Sequence, residues 1–393
     1  MRVADMSEFF SDFGGGVRTY VHQKLEAAAK AGVTMTIIAP GPADRRERRL
    51  GGEIVWVRSP VLPFDHRYHL FARKKPVHAL LDELQPDFVE GSSTWRGAWI
   101  ARSWSGKARR ALFLHQDPVA VYPQSFLSPA LKTERVDQMF AGFWRYMANL
   151  SAGFDATIAP SAVFARRLDR HGVARALACP LGVDRALFGP DRRRDTLRLE
   201  MLADCGVKDP AAPLFIAVSR HHPEKRLPMM MRAFAKFSAA RPAALYLIGD
   251  GPMWRSVGSQ ARRIRGVAVA GPVTDRELIA AKLASADYFV HAGAAETFGL
   301  VVAEALASGV PIIAPDQGGA SEFAHPAYAE SYRAGEAEAL AAAMARIVGR
   351  DRRELAIAAR AGAHRVSTPA EHFDKLFSAY GALCEAAPAR EAA

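Results

Sequence analysis

The chain is poor in cysteine. Its three, Cys179, Cys205 and Cys384, stand far apart in 393 residues. They form neither a metal-binding spacing nor a paired framework, which excludes a disulfide-stapled scaffold and leads us to expect a reducing, cytoplasmic setting. No apolar run reaches the roughly 18 residues that span a bilayer. The opening Met1-Arg2-Val3-Ala4-Asp5 carries an acid where a secretory leader would be apolar, and reads as a first strand. Short internal repeats are missing. So is the G-x-G-x-x-G fingerprint that a two-domain dinucleotide oxidoreductase would show. There is no Asp-x-Asp pair and no cluster of metal-ligating side chains, so neither a metal nor another cofactor is expected.

What is present is globular. Half of the residues are hydrophobic and 24% are charged, and the length suits two domains of ordinary size. The net charge is +11, and it is uneven. Residues 1–190 hold 26 Lys and Arg against 18 Asp and Glu; residues 191–393 hold 26 against 23. A basic first half suits an anionic membrane surface, a nucleic acid or an acidic substrate, and equally describes a solvated arginine-rich surface.

Short β-branched runs alternate with helical periods. Strands are expected at 2–5, 34–39, 53–57, 87–90, 111–115, 155–159 and 177–180, and helices at 17–31, 75–84, 94–103, 133–150 and 161–170. Gly189-Pro-Asp-Arg-Arg-Arg-Asp195 reads as a linker. The rhythm then restarts, with strands at 214–218, 244–249, 267–270, 288–291 and 311–314. Helices are expected at 227–239, 275–284, 300–308, 338–348 and 371–384, before a frayed end at 385–393. This alternation predicts an α/β chain of two Rossmann-like domains with a cleft between them.

One stretch concentrates the chemistry: Glu296-Thr297-Phe298-Gly299-Leu300, running on to Glu304 and Gly309. It follows a strand-like run and opens a helix. Glu296 is expected at the mouth of that helix and Glu304 two turns in. A spacing of eight returns close to the same helical face. Between them, Phe298, Gly299 and Leu300 offer first-turn N–H groups at the positive end of the helix dipole, where a phosphate is stabilised. Two hydroxyl acceptors flanking an anion cradle suit a sugar, a ribose and the diphosphate that joins them. The bland alternative is a strand–loop–helix unit with a capping glutamate.

Glu296 and Glu304 with the inner Thr297-Phe298-Gly299 resemble the paired-glutamate signature of glycosyltransferase family 4, retaining enzymes of the GT-B fold. Other segments carry the same resemblance. Arg220-His-His-Pro-Glu-Lys225-Arg226 is similar to the family's Gly-Arg…Glu-Lys-Gly element, with Ser219 and Arg226 where glycines are usual. Arg220 can meet a phosphate pair bidentately and Lys225 as a point charge; whether Lys225 or Arg226 points inward stays open. Gly14-Gly15-Gly16 sits where the family has a glycine loop. His115 ends a strand, where the family often places a histidine against the transferred sugar. Gly249-Asp-Gly251-Pro and Gly271-Pro-Val-Thr-Asp275 sit where the family approaches the nucleotide base, although both also simply make turns.

The resemblance implies an acceptor-binding domain over 1–188, a donor-binding domain over 189–370, and a last helix, 371–384, crossing back onto the first. It implies a retaining, metal-independent hexosyltransferase with a UDP- or GDP-sugar as donor. Catalytic roles fall on His115, Arg220, Lys225 and Glu296. Donor contacts fall on Gly15, Gly16, Gly251, Thr297, Phe298, Gly299, Leu300 and Glu304. The segment Ala159-Pro-Ser-Ala…Gly182-Val-Asp184…Phe188 is similar to bacterial relatives that glycosylate membrane lipids. With the basic first half, this favours a lipid or lipid-linked envelope acceptor at an anionic membrane surface, an enzyme peripheral on the inner face of the plasma membrane, and no nucleic-acid partner. Phe64, Tyr68 and Phe71, beside Arg73, Lys74 and Lys75, are candidates to dip into that surface. Phe140 to Tyr146 reads either as the border of an acceptor channel or as a core stripe. Oligomeric state is left open. The rival readings are transfer to a soluble sugar or small alcohol, and a basic membrane- or nucleic-acid-binding protein with a degenerate sugar site.

Overall fold

The computed structural model describes residues 1–12, 16–63, 65–127 and 133–386. The chain divides into two compact units. The first comprises Met1–His115, Ala141–Pro180 and Pro369–Ala393; the second comprises Gln116–Phe140 and Leu181–Thr368.

The first unit is built on β1 (Arg2–Met6), β2 (Thr34–Gly41), β3 (Arg45–Arg49), β4 (Gly52–Arg58), β5 (Val61–Leu62), β6 (Asp65–His69), β7 (Phe88–Gly91), β8 (Arg109–Phe113), β9 (Ala156–Ala159) and β10 (Ala176–Ala178). Eight of these form one sheet in the order β10-β9-β8-β7-β1-β2-β4-β3, parallel throughout except for the β3/β4 pair. β2 is buried from its second residue to its last. That is why Ile37-Ile38-Ala39-Pro40 runs apolar without alternation, and why even Thr36 is buried: a parallel sheet is covered on both faces. The strand order reverses between β1 and β7, which pair at Val3↔Phe88. Helix Pro369–Glu385 packs in this unit, with Phe373, Leu376 and Tyr380 buried.

The second unit is built on β11 (Leu214–Val218), β12 (Ala244–Ile248), β13 (Val267–Val269), β14 (Tyr288–Val290), β15 (Ile312–Pro315) and β16 (Ala329–Tyr332), in the order β13-β12-β11-β14-β15-β16, all parallel. Its order reverses between β11 and β14. Two apolar layers cover the sheet. One centres on Phe289, Val302 and Leu306, the other on Phe215, Phe234 and Met344.

Several expectations are corrected. The helix expected over 133–150 is two, Thr133–Met139 and Ala141–Ser151, broken by a turn at Phe140. The two pieces belong to different units, and the apolar period runs through the turn without signalling it. β3 was not expected, because five residues with four arginines look like a solvated loop. It is an antiparallel edge strand joined to β4 by Leu50-Gly51, both at positive φ (53° and 81°), as a type I′ hairpin turn requires. The segment read as a linker, Gly189 to Asp195, is folded against the second unit. A 3-10 turn Pro190–Arg192 leads into helix Asp195–Asp204, with the Arg194 N–H on the Ser285 hydroxyl. Phe71 does not face a membrane; it is 1% exposed. Tyr68 packs edge-on against Phe9, and Phe64 lies outside the described residues. Among the described residues no helix is long and apolar enough to cross a membrane.

Candidate active site

In a doubly wound sheet, ligands bind beyond the carboxyl ends of the strands where the order reverses. In the second unit that place is the pair β11 and β14. Beyond β11 the chain runs through Arg220 into a 3-10 turn, Pro223–Lys225. Arg220 is exposed and reaches the Glu224 carboxylate at 3.5 Å. Glu224 is nearly buried and also has His222 Nδ1 at 3.7 Å and Lys225 Nζ at 3.8 Å. Arg226, where the family pattern has glycine, sits at φ 50°, ψ 34°. The backbone there is left-handed, which a glycine adopts at less cost. The Arg226 guanidinium extends toward Gly335. Lys225 turns the other way and bonds Glu296.

Beyond β14 lie His291 and a loop that ends at Gly299. The structure corrects the expected relation of the two glutamates. Helix Leu300–Ala307 begins four residues after Glu296. Glu296 therefore precedes the helix and shares no helical face with Glu304. Gly299 breaks the geometry, at φ 88°; a Cβ there would stand 3.0 Å from the Ala320 Cα. Across the loop, the Gly319 N–H donates to the Glu296 carbonyl at 2.6 Å. This leaves the backbone N–H groups of Gly299, Leu300 and Val301 without a hydrogen-bond acceptor among the described residues. Phe298 turns inward and packs edge-on against Phe323, so only its backbone can meet a ligand. Thr297 follows Glu296 in the loop and is half-buried.

Burial alone would raise the Glu296 pKa, but the charge of Lys225, with its hydrogen bond and the more distant Arg220, outweighs it and holds the carboxyl below its usual value. His291 is pushed down to about 4 by burial, against the opposing pull of Glu296. It is therefore neutral near pH 7. Its Nε2 lies 3.7 Å from Glu296 and has no hydrogen-bond partner among the described residues. An orphaned buried nitrogen of this kind marks a place for a ligand atom or a water. Glu304 is buried, which raises its pKa, and Arg276 Nη2 answers it at 2.7 Å. Arg276 lies over the Phe188 ring at 4.8 Å. The sequence reading missed both His291 and Arg276. The one signal for Arg276 was its place at a helix start, directly after Asp275, which caps that helix through the Glu277 N–H at 2.9 Å.

Gly251 has a plain structural reason to be glycine: a Cβ would fall 2.7 Å from the His221 carbonyl oxygen. His221 is fully buried and stacks on Trp254 at 5.5 Å.

The remaining candidates belong to the first unit. His115 follows β8, half-buried, stacked on Phe113 at 4.1 Å and edge-on to Tyr20 at 5.0 Å. Burial pushes its pKa down to about 3, so it is a neutral donor or acceptor. Gly16 opens helix Gly16–Lys30 with open space around it, and Gly15 lies outside the described residues. Of the Phe140 to Tyr146 patch, Trp144 is core. The Tyr146 hydroxyl accepts from Trp99 Nε1 at 2.9 Å and donates to the Thr94 carbonyl at 2.6 Å. Among the described residues no group of three His, Cys, Asp or Glu could hold a metal ion.

Comparison with known proteins accords with this geometry. Residues 14–187 match the family described as Glycosyltransferase Family 4, and residues 212–350 match Glycosyl transferases group 1. A "GDP-mannose-dependent alpha-mannosyltransferase" of Mycobacterium tuberculosis is 31% identical over 81% of this chain and 80% of its own. A "GDP-mannose-dependent alpha-(1-6)-phosphatidylinositol dimannoside mannosyltransferase" of the same species is 26% identical over 80% and 79%. Among solved structures, a glycosyltransferase from Rickettsia africae superposes with TM-score 0.72 at 16% identity, over 98% of this chain and 99% of that one. A sucrose-phosphate synthase from Thermosynechococcus elongatus gives 0.74 at 19%, over 98% and 99%. At those identities the structures speak for the fold alone, which is GT-B. Sequence identity over four fifths of a curated relative carries the rest: the chain belongs to glycosyltransferase family 4 and is a hexosyltransferase.

Proposed function

We propose that the protein moves a hexose, with retention at the anomeric carbon, from a nucleoside diphosphate sugar to a hydroxyl of a membrane lipid or lipid-linked envelope acceptor. The observation that carries the donor half is the Lys225–Glu296 pair beside the unsatisfied amides of Gly299 and Leu300. The leaving group is a nucleoside diphosphate, so negative charge grows on its β-phosphate in the transition state. Donors fixed in place before the reaction stabilise such charge most. Arg220, Lys225 and the two amides are those donors. Glu296, held ionised, accepts from hydroxyls of the transferred sugar, and Glu304 accepts from the ribose. His291 Nε2 supplies a further polar contact beside Glu296. The neutral ring of His115 can donate to or accept from a hydroxyl. The acceptor attacks on the leaving-group face and the departing phosphate takes its proton, so no separate base is required. The cations and amides serve without a metal ion.

The relatives' printed names support the finer reading. Two of them name GDP-mannose as donor. One names a phosphatidylinositol dimannoside, and an "Alpha-monoglucosyldiacylglycerol synthase" of Streptococcus pneumoniae is 30% identical over 41% of this chain. GDP-mannose is the first donor to try and an inner-leaflet glycolipid the first acceptor. The test incubates the protein with UDP- and GDP-sugars, with and without lipid vesicles and with EDTA throughout, and follows release of the nucleoside diphosphate. Release from one donor, stimulated by lipid and giving the donor's own anomer in the product, is expected. Lipid-independent transfer to a soluble sugar would overturn the acceptor, and inversion would overturn the mechanism.

A further inference from the structure

Behind His115 the first unit holds a run of polar contacts that none of the roles above uses. It begins at a backbone carbonyl. Pro180 is the last residue before the chain leaves this unit, and helix Pro369–Glu385 begins where the chain returns to it. His372, in the first turn of that helix, places Nδ1 2.8 Å from the Pro180 carbonyl oxygen. It is buried, and burial pushes its pKa down to about 4. The ring is therefore neutral near pH 7 and carries one proton. A carbonyl can only accept, so that proton is on Nδ1. The Cys179 sulfur lies farther from the same nitrogen, at 3.5 Å. Burial pushes its thiol up to about 11, and its S–H can donate to the His372 carbonyl at 3.7 Å. With Nδ1 protonated, Nε2 presents a lone pair. The Tyr20 hydroxyl stands 3.1 Å from Nε2 and donates to it. Burial holds the Tyr20 pKa well above its usual value, so the hydroxyl keeps its proton. One backbone carbonyl thus fixes the tautomer of His372 and the direction of the Tyr20 O–H.

Tyr20 lies one turn into helix Gly16–Lys30, and its ring meets His115 at 5.0 Å with 73° between the planes. Phe113 covers a face of the same imidazole at 4.1 Å. These two contacts confine the His115 ring. Tyr20 is packed in turn by Phe373, the neighbour of His372, at 5.4 Å. Aromatic packing tolerates a range of offsets and angles, whereas a hydrogen bond weakens steeply off line. The hydroxyl bond to His372 is therefore what sets the Tyr20 ring, and the wall it makes for His115, to one position.

We infer that Tyr20 and His372 are positioning residues that hold the His115 imidazole in the orientation in which it meets a hydroxyl of the substrate. The catalytic half of this rests on the role proposed for His115 above; the orientation of the ring does not. Tyr20→Phe, which keeps the ring and removes the hydroxyl, is the test variant. Two readouts are taken: nitrogen NMR of protein isotopically labelled in its histidine rings, and kcat and donor KM in both the wild-type and the His115→Ala background. The His115 signals, assigned by their loss in His115→Ala, should shift or broaden in Tyr20→Phe. Its kcat should fall by about tenfold, inside the roughly 10²-fold that a small misplacement can cost, with donor KM unchanged. In the His115→Ala background Tyr20→Phe should lower kcat no further. An equal fall in both backgrounds makes Tyr20 merely structural and overturns the inference, as do unmoved His115 signals. His372→Gln keeps an acceptor for Tyr20 and should stay closer to wild type than His372→Leu; equal losses remove His372 from the relay. Should wild type transfer from no donor, or His115→Ala match it, the role of His115 in transfer falls, while the ring signals still decide whether Tyr20 orients it.

Discussion

Each unit carries a lysine–glutamate pair at the strands where its sheet reverses order, with Glu90 inside β7 in the first unit and Glu296 beyond β14 in the second, and the two pairs have opposite surroundings. In the first unit, Lys24 bonds Asp5 at 2.8 Å and Glu90 at 2.7 Å, and none of the three is more than 1% exposed. The Tyr380 hydroxyl, from helix Pro369–Glu385, donates to Glu90 and closes the set. In the second unit, Lys225 and Glu296 are 17% and 20% exposed, and the amides of nearby Gly299 and Leu300 have no acceptor among the described residues. The same two residue types are sealed in one place and reachable in the other. A sealed pair holds elements together: it ties helix Gly16–Lys30, β1, β7 and the last helix. A reachable pair can exchange partners with a substrate. Access, rather than residue identity, separates scaffold from chemistry.

The largest effect expected on this comparison is at the sealed set. Lys24→Met leaves two buried carboxylates facing each other, and removing one partner of a buried ion pair typically costs about 3–5 kcal/mol. Denaturant unfolding should show that loss. A change under about 1 kcal/mol would mean that water reaches the set and would erase the contrast. Glu296→Gln should do the reverse. It leaves unfolding nearly unchanged and lowers turnover by roughly 10²–10³-fold, the scale for losing one fixed transition-state contact. Near-normal turnover in a folded Glu296→Gln protein removes Glu296 from the chemistry. Smaller again is Arg276→Ala. It takes the counter-charge from buried Glu304, whose carboxyl is already raised by burial. Glu304 should then protonate more readily, and donor KM should rise about tenfold with little change in turnover at saturation. An unchanged KM at pH 6 and 8 would make the pair merely structural.

The sequence revealed more of the second unit than of the first, and the physical reason is visible in the elements. Strands buried on both faces, such as β12 and the Ile37–Pro40 stretch of β2, are written as apolar runs and were placed to within a few residues. β3 is held by pairing to β4 while its arginines face water, so its composition hides it. In the proposed donor site, Glu296, Lys225 and Arg220 lie in short loops beyond β11 and β14, and the fold brings them near one another. The orientation of Arg226 required the φ of its own backbone, which no pattern carries. Arg276 and Glu304 are 28 residues apart, and only the packing of two helices brings them together. Lys24, Asp5 and Glu90 were invisible for the same reason: three ionisable residues in apolar segments look like surface until the sheet that closes over them is known.

Glu90 offers the finest test of the contrast. Burial raises its carboxyl to about 7, with Lys24 pulling the other way. One ammonium cannot fully offset two buried carboxylates, so the folded state retains a proton that the unfolded chain releases near 4.5. Between those values the native state binds more protons than the unfolded state. The stability Glu90 contributes is therefore complete below about 4.5 and is lost as pH rises to about 7. Glu90→Gln is nearly isosteric, still accepts from Tyr380 and does not titrate. Its stability relative to wild type should rise across that window and level off above it. Glu296 is held below its usual value, so a Glu296→Gln protein should show no such gain between pH 5 and 7. If both variants gained equally, the two sites would share one electrostatic environment, and exposure could not be what distinguishes them.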